Sequence, residues 1–147
     1  GYFQPDWGLY RVEAVSMLLR ANKIKPYKKY SDFEDVPRDV WFAPYVATAQ
    51  AEGLIDEPND SRTLFGATEN LDKAAFFIFS VHAFGFMPPE VEEPPFRDVS
   101  KNAWFAPYFA FAKKHELIEG SNAYPSKKIT RGEAAHIIYS LAQMEIL

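Results

Sequence analysis

Cysteine is absent from the chain, which excludes a disulfide scaffold and any thiolate metal site but does not choose a compartment. Positive charge is scarce: 16 lysines and arginines face 20 aspartates and glutamates, a net charge of −4. Nucleic acid needs a basic stripe to neutralise phosphate, so this balance argues against that partner. No apolar run approaches the roughly 18 residues of a membrane span. Catalytic patterns are missing too. The carboxylates show no acid–base spacing, there is no nucleophile elbow, and no glycine-rich phosphate loop occurs. These gaps point to a chain that is not an enzyme and needs no cofactor. His82, His115 and His136 lie far apart without metal-ligand spacing, and the first and last are expected at the core or its boundary on apolar helices. Asp56 and Asp60 share a polar loop that lacks the alternating oxygens and central glycine of a calcium site.

What the chain does have is apolar surface, with 48% hydrophobic and 16% aromatic residues. A packed core is therefore expected, and 147 residues suit one domain. The second feature is repetition. Phe33-Glu34-Asp35-Val36 and Trp41-Phe42-Ala43-Pro44-Tyr45 return, 63 positions later, as Phe96-Arg97-Asp98-Val99 and Trp104-Phe105-Ala106-Pro107-Tyr108. Gly53-Leu54-Ile55 recurs as Glu116-Leu117-Ile118 at the same offset. Self-similarity at a fixed period signals a repeat architecture. The units read as 1–31, a second half only, then 32–87, then 88–147 with a stiff Pro/Glu linker at its start. Gly1 opens inside a repeat, so the chain reads as an excised segment, and no weight falls on the missing signal peptide.

Periodicity places helices over Leu9 to Asn22, up to Glu52, Asp72 to Phe84, around Phe105 to Ala112, and Arg131 to Met144. Asp35 and Asp39 supply turn and cap oxygens before the second helix, and Pro44 must lie in its first turn. The helix from Asp72 is apolar almost all round and should be the most buried. The fold class is all-α: helix–loop–helix units that cannot bury their stripes alone and so pack together. With one half-unit, a three-helix centre would lack a helix, which preceding residues or a partner chain would fill.

Each unit's second helix starts alike. In Thr130-Arg131-Gly132-Glu133 the threonine and glutamate form a capping box. Arg131 is not explained by capping, because a cation at the first helical position opposes the helix dipole. Arg11 and Lys73 hold the matching positions, with Glu13 and Asp72 beside them. Free N–H groups and a guanidinium make an anion site; pairing to a neighbouring unit's carboxylate explains the same cations without a ligand. The residues alone leave both readings open.

In order, Phe-x-Asp-Val, Trp-Phe-Ala-Pro-Tyr, Gly-Leu-Ile, Gly-x-Phe-x-Pro and Ile-Thr-Arg-x-Glu-Ala resemble the S-layer homology (SLH) repeat, over about two and a half copies. The resemblance implies a pseudo-trimeric bundle, a central trio of helices with peripheral prongs. It implies a non-catalytic anchor at the bacterial cell surface, outside the cell, whose partner is a cell-wall polysaccharide, commonly pyruvylated, held in grooves between repeats. Carried onto this sequence, it marks Arg11 with Glu13, Asp72 with Lys73, and Thr130, Arg131 and Glu133 as glycan-binding, together with Trp41 and Trp104. For both tryptophans, core packing beside Pro44 and Pro107 is the favoured alternative. The pattern departs at Tyr10, which replaces threonine, and at Lys73 and Ala75, which replace arginine and glutamate. At most two grooves should be competent, the second being the one expected to have lost its site. The rival function is an assembly module that packs against other surface-protein subunits.

Overall fold

The computed structural model describes residues 4–57 and 63–146, which form five helices: α1 (Arg11–Ala21), α2 (Ala43–Ala51), α3 (Lys73–Phe84), α4 (Ala106–Lys114) and α5 (Arg131–Ile146). Among the described residues the only β pairing is isolated bridges, so the class is all-α. The readings that rest on residues 1–3 and on Asp60 fall outside this range.

Local chemistry sets the boundaries. Asp72 caps α3 by accepting the Ala75 N–H at 2.8 Å, and Gly85 ends that helix in the left-handed region at φ 72°, where glycine carries no Cβ penalty. Between them Phe76, Phe77, Ile78 and Phe79 are all buried, making α3 the interior helix of the molecule. Pro44 and Pro107 fall in the first turns of α2 and α4, where a missing N–H costs nothing. These two helices have no side-chain cap: Phe42 and Phe105 precede them in helical conformation.

Asp35 therefore does something other than start α2. Its two carboxylate oxygens accept the N–H groups of Phe65 and Gly66, at 2.7 and 2.8 Å. Asp98 does the same for Ala123 and Tyr124, at 2.8 Å each. The aspartate of each Phe-x-Asp-Val motif is a clamp on the loop that leads into the next central helix.

Helices α1, α3 and α5 contact one another pairwise, while α2 packs on α1 and α4 on α3. The three central helices enter through one closed ring of backbone hydrogen bonds. Leu9 N–H donates to Ile129 O (3.3 Å), Ile129 N–H to Leu71 O (3.0 Å), and Leu71 N–H to Leu9 O (2.8 Å). All three side chains are fully buried. The expectation of a missing central helix is thus corrected: the centre closes within this chain. The half-unit already contributes its inner helix, and an inner helix is all that the ring requires of each unit. Among the described residues the outer layer is uneven: α5 has no helix packed on it as α2 packs on α1, and Tyr139 on α5 is 64% exposed.

His82 lies at the α3–α4 seam, with Nε2 2.8 Å from the Tyr108 hydroxyl. The equivalent contact between α1 and α2 is Arg20 over the Tyr45 ring, 5.9 Å from its centroid. His136 departs from expectation and is exposed on α5.

Candidate functional site

The geometry begins at the first turns of α1, α3 and α5. Their leading N–H groups are all engaged. Arg11 and Val12 donate to Glu69 O and Ala67 O, Lys73 and Ala74 to Lys127 O and Pro125 O, and Arg131 and Gly132 to Trp7 O and Pro5 O, at 2.8 to 3.1 Å. The third-position donors of α3 and α5 go to Asp72 and Thr130. The idea of free N–H groups waiting for an anion is therefore overturned. Each loop lays its carbonyls on the helix start beside it, and takes up the first two donors that an anion would need.

The cations follow the same rotation. Arg131 Nη1 pairs with Glu13 Oε2 at 2.7 Å, and Lys73 Nζ with Glu133 Oε2 at 3.1 Å. In both, the cation at the first position of one helix meets the glutamate at the third position of the next. Sequence grouping put Arg131 with Glu133 and Arg11 with Glu13; the molecule pairs them across units instead. The glutamates remain capping residues as well, since Glu133 accepts the Thr130 N–H and Glu13 the Tyr10 N–H, at 3.1 and 3.0 Å.

By this pattern Arg11 should meet position 75, which is alanine. Arg11 instead sinks into the core at 5% exposure. Its Nη2 binds Glu57 at 2.9 Å, its Nε donates to Phe65 O at 2.8 Å, and its guanidinium lies over the rings of Phe65 and Phe79. Among the described residues Arg11 is thus taken up inside the fold. At the unit that lost its glutamate, the cation drawn into the core is Arg11 and not Lys73.

The other two interfaces are open. One cleft of about 370 Å³ is lined by Trp7, Gly8, Tyr10, Glu13, Asn70 and Arg131. Trp7 and Tyr10 are 61% and 44% exposed. Arg131 keeps its Nε buried and without a partner among the described residues. The second cleft, about 380 Å³, includes Lys73, Glu133, Tyr124, Asn122 and His136. Burial alone would raise the Glu133 carboxyl, but hydrogen bonds from Lys73 and Thr130 outweigh it and hold the group below its ordinary value.

Core packing of the two motif tryptophans is overturned. Trp41 is 67% exposed and Trp104 44%. They meet Phe42 and Tyr45, and Phe105, edge-on, and line neither of these clefts. Sequence reasoning missed Trp7, Asn70, Glu57 and Tyr124. The last of these carried a signal, because Tyr124-Pro125 is where the third unit shortens the Gly-x-Phe-x-Pro motif.

Among the described residues no helix is long and apolar enough to cross a membrane, and no group of three or more metal-binding side chains comes together. Residues 95–135 match the S-layer homology domain. The exoglucanase XynX of Acetivibrio thermocellus is 30% identical over 96% of this chain and 13% of its own length. The amylopullulanase of Thermoanaerobacterium thermosulfurigenes is 28% identical over 96% of this chain and 8% of its own length. The chain thus spans about an eighth or less of these relatives. S-layer homology domains are non-catalytic modules of cell-surface proteins that bind cell-wall polysaccharide. Residues 95–135, which run from the segment of the Asp98 clamp to the first turn of α5, are thus an S-layer homology domain match within this chain of related units.

Proposed function

We propose that this chain, with 1–31, 32–87 and 88–147 as its units, holds a parent protein on the bacterial envelope by binding an anionic, pyruvylated cell-wall polysaccharide. The ligand enters the clefts at Arg131–Glu13 and Lys73–Glu133. One observation carries the reading: these two cations stand in open clefts beside exposed aromatic rings, whereas the third, Arg11, is sealed in the core. Pairing to glutamate does not exhaust them. An arginine has five N–H donors and a lysine three, so a ketal carboxylate can share the cation with Glu13 or Glu133. Aromatic faces beside a cation suit a sugar ring with an acidic substituent. Asp72 and Thr130 then serve by capping, and Arg11 by packing. Trp41 and Trp104 stand apart from both clefts.

The test is retention on purified cell-wall polysaccharide. Arg131→Ala and Lys73→Ala should each weaken it with helical circular dichroism unchanged. Full retention by the double variant would end the reading.

A second reading, assembly with other surface-protein subunits, has its own observation. The segments that follow α1 and α3 are in register, yet one exposes Lys23, Lys25, Lys28 and Lys29 and the other Glu90, Glu92 and Glu93. Opposite charge on equivalent surfaces suits head-to-tail contact between copies. Oligomers in sedimentation at low salt, insensitive to Arg131→Ala, would favour it.

A further inference from the structure

The loops before α3 and α5 each make one backbone turn into the left-handed region. Five residues before Leu71 this falls on Gly66, at φ 75°; five before Ile129 it falls on Tyr124, at φ 52°. The two share their anchoring, since the N–H of each donates to a clamp aspartate at 2.8 Å, Asp35 for Gly66 and Asp98 for Tyr124. A bulky residue with positive φ is a steric outlier, and such outliers persist where the surroundings enforce them, often at functional sites. Packing does not explain this one: Tyr124 is 54% exposed. Its ring stands at the cleft of Lys73 and Glu133, with the Lys73 and Lys127 ammonium groups each 5.8 Å from its centroid.

We infer that Tyr124 is the stacking platform of this cleft, the residue on which a pyranose ring packs while its carboxylate reaches Lys73 and Lys127. This rests on the polysaccharide reading and assigns the ring on which the sugar packs. Gly66 shows that the loop forms without an aromatic side chain, so the strain at Tyr124 is tolerated for what the ring contacts. A pyranose face on the phenol and an acid group at two flanking ammonium ions would be recognised together.

The experiment uses the full chain, pyruvylated cell-wall polysaccharide, and the same polymer after acid removal of the ketal. Tyr124→Gly relieves the backbone, so its Tm should rise by about 2 °C. Its binding should fall about tenfold on both polymers, since stacking does not depend on the ketal. Tyr124→Phe should bind as the wild type does. Lys73→Ala should lose affinity only for the pyruvylated polymer. Wild-type binding by Tyr124→Gly, with Lys73→Ala still impaired, would overturn the platform and leave the cleft reading in place. A lower Tm in Tyr124→Gly would show that the ring supports the fold, and would overturn it also. Failure of the wild-type chain to bind either polymer would remove both.

Discussion

Arg131 and Glu13, 118 positions apart, form a 2.7 Å ion pair that ties the first turn of α5 to the first turn of α1. The pair repeats one step round the molecule as Lys73 and Glu133, and is broken at the third step by Ala75. Two of the three helix starts are thus pinned by ions in open clefts, and the third by a buried arginine among aromatic rings. The first arrangement leaves cationic donors where a ligand can reach them. The second trades a site for core packing.

Removing the partner of the buried arginine should therefore be costly. Glu57 and Arg11 have side chains only 10% and 6% exposed. Glu57→Ala strands a buried guanidinium, a class of change that costs about 3–5 kcal/mol, and should lower Tm by roughly 10 °C in a chain of this size. Ala75→Glu in that background returns a carboxylate to the place the rotation assigns it, and should recover part of the loss. Thermal unfolding followed by circular dichroism decides this. An unchanged Tm in Glu57→Ala would mean that the Phe65 carbonyl and the two rings hold Arg11 unaided.

The clamp aspartates should act on one loop each. Asp98→Ala leaves two backbone N–H groups, of Ala123 and Tyr124, without their acceptor. Charge-assisted bonds of this kind contribute about 1.5–3 kcal/mol each at most, so a net loss of about 2–3 kcal/mol is expected. The signature is local. Amide exchange should quicken at Ala123 and Tyr124 and stay slow at Phe65 and Gly66, which Asp35 holds. Equal quickening in both loops would show that Asp98 acts on the fold as a whole.

The helices were legible because their causes are local. Apolar spacing, Pro44 in a first turn, Asp72 as a cap and Gly85 as a stop lie within a few residues of what they determine. The contacts that make the site span units. Asp35 meets its loop 30 residues on, and Arg131 meets Glu13 rather than the Glu133 of its own motif. A repeat displays its members side by side in sequence, but a ring of repeats joins each member to its neighbour, so motif grouping named the residues and mispaired them. The tryptophans were misread for a related reason. Their flanking prolines suggested packing, yet Trp41 and Trp104 precede helices whose inward positions are already taken by Val46 and Ala49, and by Phe109 and Ala112. Counting whole units gives one central helix too few, whereas the ring at Leu9, Leu71 and Ile129 needs only the second half of each.

Acid should loosen the Lys73 cleft. Although burial pushes the Glu133 carboxyl up, its bonds to Lys73 and Thr130 bring it below the ordinary value of 4.5. A group depressed on folding adds stability above its unfolded pKa and loses it as pH falls through the folded value. Wild-type Tm should thus drop as pH falls below 4.5, and Glu133→Gln, which has no carboxyl to protonate there, should drop less. The gap between the two proteins is widest at neutral pH and narrows under acid. If the gap stayed constant from neutral to acid pH, the Lys73–Glu133 pair would contribute packing alone. The charge that the cleft presents to a ligand would then have to come from Lys73 independently of its partner.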